Sequence, residues 1–228
     1  MTDNVEIYKK MVGEAAAQLV EDGMVVGLGS GTTVAFLVRA LAERLRGGLR
    51  IAGAVPTSLE TARLASSLGI PLVTLETNPT LDLDIDGADE IDPQLNLIKG
   101  GGGALLREKV VAAAARRFVV ISDSSKLVPR LGVHFALPVE VVPFALSPVR
   151  RQLEALGASA QPRLREGQLY VTDNQNYILD CRFPAGIADP ASLQARIRAI
   201  VGVVEHGLFL GMARQALIAG PNGLITLP

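Results

Sequence analysis

Residues 24–45 read MVVGLGSGTTVAFLVRALAERL, and the order of residue types within that stretch sets the architecture. Met24 to Leu28 is a short apolar run ending in turn residues, the pattern of a buried strand. Gly29 to Gly31 reads as a turn, and Val34, Leu37, Val38, Leu41 and Leu45 fall on one face of a helix. The same cycle continues outward from this stretch. Arg50 to Val55 reads as a strand, Ser58 to Ser67 as a helix and Ile70 to Thr74 as a strand, and a helix from Gly103 to Arg116 precedes a strand from Arg117 to Ser122. Upstream, Ile7, Met11, Ala15 and Leu19 recur at four-residue intervals, so the chain opens with an amphipathic helix from Asp3 to Val20. Alternation of this kind predicts an α/β fold with parallel strands and crossover helices.

After about Gly132 the pattern changes, with Pro138, Pro143, Pro148 and Pro162 punctuating shorter elements. Leu137 to Val142 reads as a strand, and Ser147-Pro148 as the start of a helix. Leu169 to Thr172 and Tyr177 to Phe183 read as two strands of a hairpin joined at Asp173-Asn174-Gln175-Asn176, and Asp189-Pro190 caps a further helix. The order suggests a second, smaller α+β domain. The segment from Leu208 to Leu227, with its Asn222-Gly223 turn, is expected to return to the first.

The 228 residues are 49% hydrophobic, which excludes a disordered chain. Lys and Arg number 22 against 23 Asp and Glu, leaving no positive excess for a nucleic acid backbone. A small anion, by contrast, needs only one or two cations and some oriented N–H groups. The lone Cys181 and the two histidines, His134 and His206, offer neither a disulfide nor a clustered zinc site, and all three are read as structural. The polar, acidic start and the lack of a long uncharged apolar stretch give the expectation of a cytoplasmic protein with no membrane partner.

Four motifs carry chemistry. Gly27-Leu28-Gly29-Ser30-Gly31-Thr32-Thr33 places three hydroxyls and free helix N–H groups together where a strand meets a helix, which suits an anion and equally a tight turn. It lacks the lysine of a Walker loop and fits the dinucleotide fingerprint imperfectly. In Asp82 to Asp92 acids alternate with Leu83 and Ile85 before Gly87, delivering Asp86 and Asp89 to the carboxyl end of a strand, where ligands of open α/β sheets bind. The spacing fits a calcium loop only in part, since Gln94 or Leu95 falls where its closing glutamate belongs. Lys99 is followed by Gly100, Gly101, Gly102 and Gly103, a run better explained by close backbone approach to a ligand than by a linker. Glu108 then sits among Ala104, Leu105, Val111 and Ala112, surroundings that favour its neutral form and suit a general base, whereas Arg107 and Lys109 also fit a charged helix surface. Ser122-Asp123-Ser124-Ser125-Lys126 ends another buried strand with hydroxyls and a cation.

GLGSGTT, DGADEID, KGGGGALLREK and SDSSK, in this order, resemble ribose-5-phosphate isomerase of the A type, and the likeness extends through LPVEVVPFA, YVTDNQNYILD and EHGLFLG. The resemblance implies a Rossmann-like open parallel sheet, here residues 1–131 plus 205–228, with a smaller ferredoxin-like α+β lid and oligomerisation domain at 132–204. It implies an aldose-ketose isomerase acting on a sugar phosphate through an enediolate, with neither metal nor organic cofactor, in a homodimer or higher homo-oligomer. By match of motif, Glu108 is the general base, Lys99 the cation beside the substrate oxygens, and Asp86 and Asp89 the acids on the sugar hydroxyls. Ser30, Gly31, Thr32 and Thr33, then Gly87 and Ala88, then Gly100, Gly101 and Gly102 match substrate-binding segments, and Lys126 matches a lysine serving the phosphate. Related sequences often read GTGST and NGN where this one has Gly29 to Thr33 and Asn174-Gln175-Asn176. A non-catalytic sugar-phosphate sensor and a coenzyme A transferase using Glu108 as nucleophile are the alternatives on the same architecture.

Overall fold

The computed structural model describes residues 2–228. In chain order, α1 (Thr2–Ala17), β1 (Val25–Leu28), α2 (Thr32–Arg46), β2 (Gly53–Pro56), α3 (Leu59–Ser67) and β3 (Leu83–Asp86) come first. Short strands β4 (Glu90–Ile91) and β5 (Leu97–Ile98) lead to α4 (Leu105–Ala114) and β6 (Phe118–Asp123). Next come β7 (Leu137–Val141), α5 (Leu146–Ala155), β8 (Ser159–Pro162), β9 (Leu164–Arg165), β10 (Gln168–Leu169) and β11 (Tyr177–Arg182). The last elements are α6 (Pro190–Arg198), β12 (Val203–His206), β13 (Leu208–Phe209), β14 (Gln215–Gly220) and β15 (Gly223–Leu227).

Two compact units emerge. One holds the residues up to Ala88 with Arg107–Lys126 and Met212–Pro228; the other holds Asp89–Leu106 and Leu127–Gly211. The second unit thus takes 89–106, 127–131 and 205–211, which the sequence reading places in the first. Strand pairing is the reason: β5 pairs with β13 through Leu97↔Phe209 and Ile98↔Leu208, and the Val128 N–H bonds to the Ile91 carbonyl at 2.9 Å.

In the first unit a six-stranded sheet runs β15-β14-β6-β3-β1-β2, parallel throughout except for the hairpin strand β15. Val26, Leu28, Leu83, Ile85, Val119 and Ile121 point to one face and join Val12 and Ala16 of α1 and Leu37, Val38 and Leu41 of α2 in one core. The alternate residues Val25 and Val55, with Leu81 just before β3, meet Val111 of α4. Burial on both faces is why these strands read as continuous apolar runs. Two expectations shift. The buried face of α1 carries Val12 and Ala16, with Ile7 and Met11 exposed, because Gly13 lies against α2: a Cβ there would come within 2.8 Å of the Leu37 nitrogen. Ile70 to Thr74 forms only a single bridge, Leu72 to Ala54, since Pro71 has no N–H to continue a ladder.

The second unit's four-stranded antiparallel sheet runs β12-β7-β11-β8, and with α5 between β7 and β8 and α6 between β11 and β12 this is the ferredoxin-like arrangement. Leu137, Val139, Val141, Leu179 and Cys181 pack there with Val149 and Leu153 of α5 and Leu193 and Ile197 of α6. Asp189 caps α6 as expected, its carboxylate accepting the Ser192 N–H, whereas α5 begins at Leu146, after a 3-10 turn opened by Pro143. The expected hairpin of Leu169–Thr172 with Tyr177–Phe183 is corrected. β10 pairs instead with β9 across Glu166-Gly167, both at positive φ, and β11 pairs with β7 and β8. The Asp173–Asn176 turn folds inward because Thr172, Asn174 and Asn176 all donate to the buried Glu140 carboxylate.

Burial pushes the Cys181 thiol up to about 12. The native protein is therefore expected to be inert to an aromatic disulfide reagent at pH 8, with one thiol titrating once guanidinium unfolds the chain; rapid reaction of the native protein contradicts this packing.

Candidate functional site

Gly27 and Gly29 are fixed by their neighbours in the sheet. β1 and β3 pair with Gly27 opposite Asp84, and a Cβ on Gly27 would fall 2.4 Å from Asp84 Oδ1. On Gly29 it would fall 2.0 Å from Asp86 Oδ1. The glycines therefore make room for two carboxylates that are both fully buried. Asp86 Oδ1 accepts the N–H of Ser30 at 3.0 Å and of Gly87 at 2.6 Å, which ties the turn after β1 to the turn after β3. The Ser30 hydroxyl lies 2.7 Å from that of Thr57, and the Thr61 hydroxyl donates to the Gly29 carbonyl at 2.8 Å. Gly31, at φ 97°, then enters α2 with no side-chain cap. The first N–H groups of α2 consequently have no acceptor within the helix, and the hydroxyls of Ser30, Thr32 and Thr33 lie in the same few residues.

Glu108 is 4% exposed on α4, and Ala104, Leu105, Val111 and Ala112 are buried as well. Lys109 is also buried and Val110 is exposed, so Lys109 is not part of a charged surface. Lys126, half-buried, closes a 3-10 turn directly after β6, where Ser125 donates through both its N–H and its hydroxyl to Asp123 Oδ1.

In the second unit Asp89 Oδ2 accepts the Gly101 N–H at 2.7 Å, which holds the glycine run to the acidic turn. Lys99 is 2% exposed. Its N–H donates to the Gly207 carbonyl at 2.9 Å, and its Nζ stands 5.4 Å from the centroid of the Phe209 ring, whose face attracts a cation. Gly207 is required for this approach, since a Cβ there would meet the Lys99 carbonyl oxygen at 2.3 Å.

Of the residues singled out in sequence, Ser30, Gly31, Thr32, Thr33, Asp86, Gly87, Ala88, Glu108 and Lys126 belong to the first unit, and Asp89, Lys99, Gly100, Gly101 and Gly102 to the second. Thr57, Thr61 and Phe209 were not singled out. The hydroxyl pair Thr57-Ser58 directly after β2 is a sequence signal for Thr57, whereas Thr61, inside α3, carries none. His206 Nδ1 accepts the Leu208 N–H at 3.2 Å in the turn before β13. Among the described residues no three His, Cys, Asp or Glu side chains group as metal ligands.

Residues 53–223 match the family model of ribose 5-phosphate isomerase A (phosphoriboisomerase A). A protein named ribose-5-phosphate isomerase A from Synechococcus sp. (strain JA-3-3Ab) is 57% identical over 222 residues, 96% of each chain. The structure of ribose 5-phosphate isomerase A from Methanocaldococcus jannaschii superposes with a TM-score of 0.91 at 43% identity, over 96% of this chain and 97% of that one. A D-ribose-5-phosphate isomerase solved in complex with phospho-erythronic acid matches with a TM-score of 0.95 at 38% identity, over 98% of this chain and 99% of that one.

Gly29→Ala is expected to lower the stability measured by urea unfolding by about 1–3 kcal/mol, the usual cost of overpacking. Gly102→Ala serves as the control, because a Cβ there meets nothing within 4 Å, and it is expected to leave the unfolding midpoint in place. Equal midpoints for the two variants contradict the role given to Gly29.

Proposed function

We infer, because the chain belongs to the ribose 5-phosphate isomerase A family, that it interconverts D-ribose 5-phosphate and D-ribulose 5-phosphate. The observation that carries this reading is the match along nearly the whole chain to a relative holding phospho-erythronic acid. That acid has four carbons, a phosphate and a planar anionic carboxylate, and so imitates the planar, charged enediolate between aldose and ketose.

The roles follow from the chemistry each residue offers. In the open-chain aldose the C1 carbonyl acidifies the proton on C2. Glu108, a carboxylate on a buried helix face, takes that proton and returns it to C1, and the electron pair left on C2 moves into the enediolate. Negative charge builds on the C1 oxygen, where the Lys99 ammonium stabilises it; as C1 takes up its proton, the C2 hydroxyl proton passes to the C1 oxygen and C2 becomes the carbonyl. Asp86 and Asp89 take the sugar hydroxyls, and one of them assists ring opening. Asp86 also braces Ser30, so the same carboxylate shapes the loop that binds substrate. Ser30 to Thr33, Gly87-Ala88 and Gly100 to Gly102 hold substrate oxygens, and Lys126 serves the phosphate. In this scheme base and electrophile are both side chains, and the enzyme works in the cytoplasm without metal.

We also propose that the protein acts as a homo-oligomer. Phe144 is 99% exposed and Val201 91%. The Val142 N–H to Gly202 carbonyl bond, 3.0 Å long, places their segments side by side with half-exposed Val142. Covering such a patch with a second copy gains roughly 1.5–3 kcal/mol per large side chain.

Two measurements test these readings. Proton NMR of ribose 5-phosphate in deuterated buffer containing EDTA is expected to show ribulose 5-phosphate with deuterium uptake for the wild type. Glu108→Gln is expected to fold normally and lose about 1000-fold in kcat, the middle of the 10²–10⁴ range of general-base contributions. Near-normal turnover by that variant removes Glu108 from the mechanism. In sedimentation equilibrium, Phe144→Ser is expected to weaken self-association; a wild type that is monomeric at all concentrations refutes the oligomer.

A further inference from the structure

The glycine run after Lys99 is held from behind by a residue that no chemical motif contains. Arg163, between β8 and β9, is 13% exposed. Its Nε lies 3.0 Å from Asp180 Oδ2 and its Nη2 2.5 Å from Asp180 Oδ1, a two-point contact that fixes the plane of the guanidinium. The remaining nitrogen, Nη1, donates to the Gly100 carbonyl at 2.8 Å and to the Gly101 carbonyl at 3.1 Å. The guanidinium also stands 5.9 Å from the centre of the Tyr170 ring, and the Tyr170 hydroxyl donates to the Gly102 carbonyl at 3.1 Å. Burial, with Asp173 next in effect, raises the Tyr170 phenol above its ordinary value, so it remains a donor. Three successive glycine carbonyls are therefore each bound by a side chain from elsewhere in the second unit.

A trans peptide is planar, with its N–H opposed to its carbonyl. Fixing the Gly100 carbonyl fixes the Gly101 N–H, which Asp89 accepts. Fixing the Gly102 carbonyl fixes the Gly103 N–H, which bonds to the Gly100 carbonyl at 3.0 Å. Fixing the Gly101 carbonyl fixes the Gly102 N–H, and that N–H has no acceptor among the described residues. Glycine has no side chain of its own to hold such a conformation. Behind the loop, Gly101, Phe135, Gln161, Arg163, Asp180 and Arg182 line a cavity of about 300 Å³, so without the guanidinium the loop has room to shift.

We propose that Arg163 is a positioning residue for the isomerase reaction: by holding the Gly100 and Gly101 carbonyls it aims the Gly102 N–H at an oxygen of the sugar phosphate. Asp180 orients Arg163, and Tyr170 secures the last carbonyl of the run. This rests on the isomerase reading above. A lysine at 163 keeps the charge but has no planar fork, so it cannot engage Asp180 at two points and both carbonyls at once.

The test uses the full-length protein and Arg163→Lys, Arg163→Ala and Tyr170→Phe. Amide hydrogen exchange of segment 99–106, thermal melting, and kcat and KM for ribose 5-phosphate are measured on each. Arg163→Lys is expected to lower kcat/KM by about 10–100-fold, the loss that a displacement on the order of 1 Å produces at a reacting centre. Exchange in 99–106 is expected to quicken while β8 and β11 keep their protection, and added guanidinium is expected to restore part of the activity of Arg163→Ala. Wild-type kcat/KM and unchanged exchange in Arg163→Lys overturn the proposal. A loss of protection throughout β8 and β11 with a lowered melting point overturns it too, by showing a role in sheet stability alone. Should Arg163→Ala fail to fold, Arg163→Lys and Tyr170→Phe still decide the matter. Should the wild type convert no ribose 5-phosphate, the isomerase reading fails separately, and the exchange data still report whether Arg163 holds the loop.

Discussion

Two buried carboxylates on a central strand constrain the whole first unit. Asp84 and Asp86 lie on β3, which has β1 on one side and β6 on the other, and neither side chain is exposed at all. Burying an ionisable group is costly unless polar partners surround it, so the neighbouring strand must leave space and supply donors. β1 does both. Gly27 and Gly29 carry no Cβ to collide with the carboxylates, and the chain beyond Gly29 turns so that the Ser30 N–H reaches Asp86. The Gly-x-Gly spacing thus answers first to the two-residue period of paired strands and only then to the loop that follows. Thr57 and Thr61, arriving after β2, complete the support of that loop through Ser30 and Gly29.

The second unit repeats the device with other residues. Glu90, 1% exposed, gathers the N–H groups of Gly132, His134 and Phe135 and sets the segment before β7. Glu140 on β7 gathers the side chains of Thr172, Asn174 and Asn176 and turns the chain into β11. Asp89 takes the Gly101 N–H, and Asp180 takes the guanidinium that holds the neighbouring carbonyls. In each case a carboxylate converts a segment of high conformational entropy into one geometry. Charge-assisted hydrogen bonds are about twice as strong as neutral ones, which makes a carboxylate well suited to that work.

How much of this was legible in the sequence depended on how local the determining contacts are. The alternation of strands and helices was readable because burial on both faces of a parallel sheet leaves long apolar runs, and the Asp189-Pro190 cap because capping acts within one turn. The buried surroundings of Glu108 were readable from its helical neighbours. The inward face of α1 was misplaced because one glycine contact with α2 outweighs periodicity. The hairpin at Asp173–Asn176 was misread because Glu140, more than thirty residues earlier, claims its polar groups. Arg163 escaped notice for the same reason: 62 residues separate it from Gly101, and an arginine between two short strands carries no local mark of what it holds.

Lys99 shows how such distant support bears on the proposed chemistry. An ammonium that meets charge only as it develops is most effective when its position is settled beforehand, because reorganisation during the reaction would use up the gain. Three features settle it. The Lys99 N–H is bonded to Gly207, the absence of a Cβ at Gly207 lets the two backbones meet, and Phe209 sets its ring near the ammonium. These come from EHGLFLG, more than a hundred residues beyond Lys99. Its value lies in geometry. A change of Gly207 to any larger residue displaces the Lys99 backbone and with it the charge, so the Gly207 segment sets where the Lys99 ammonium stands.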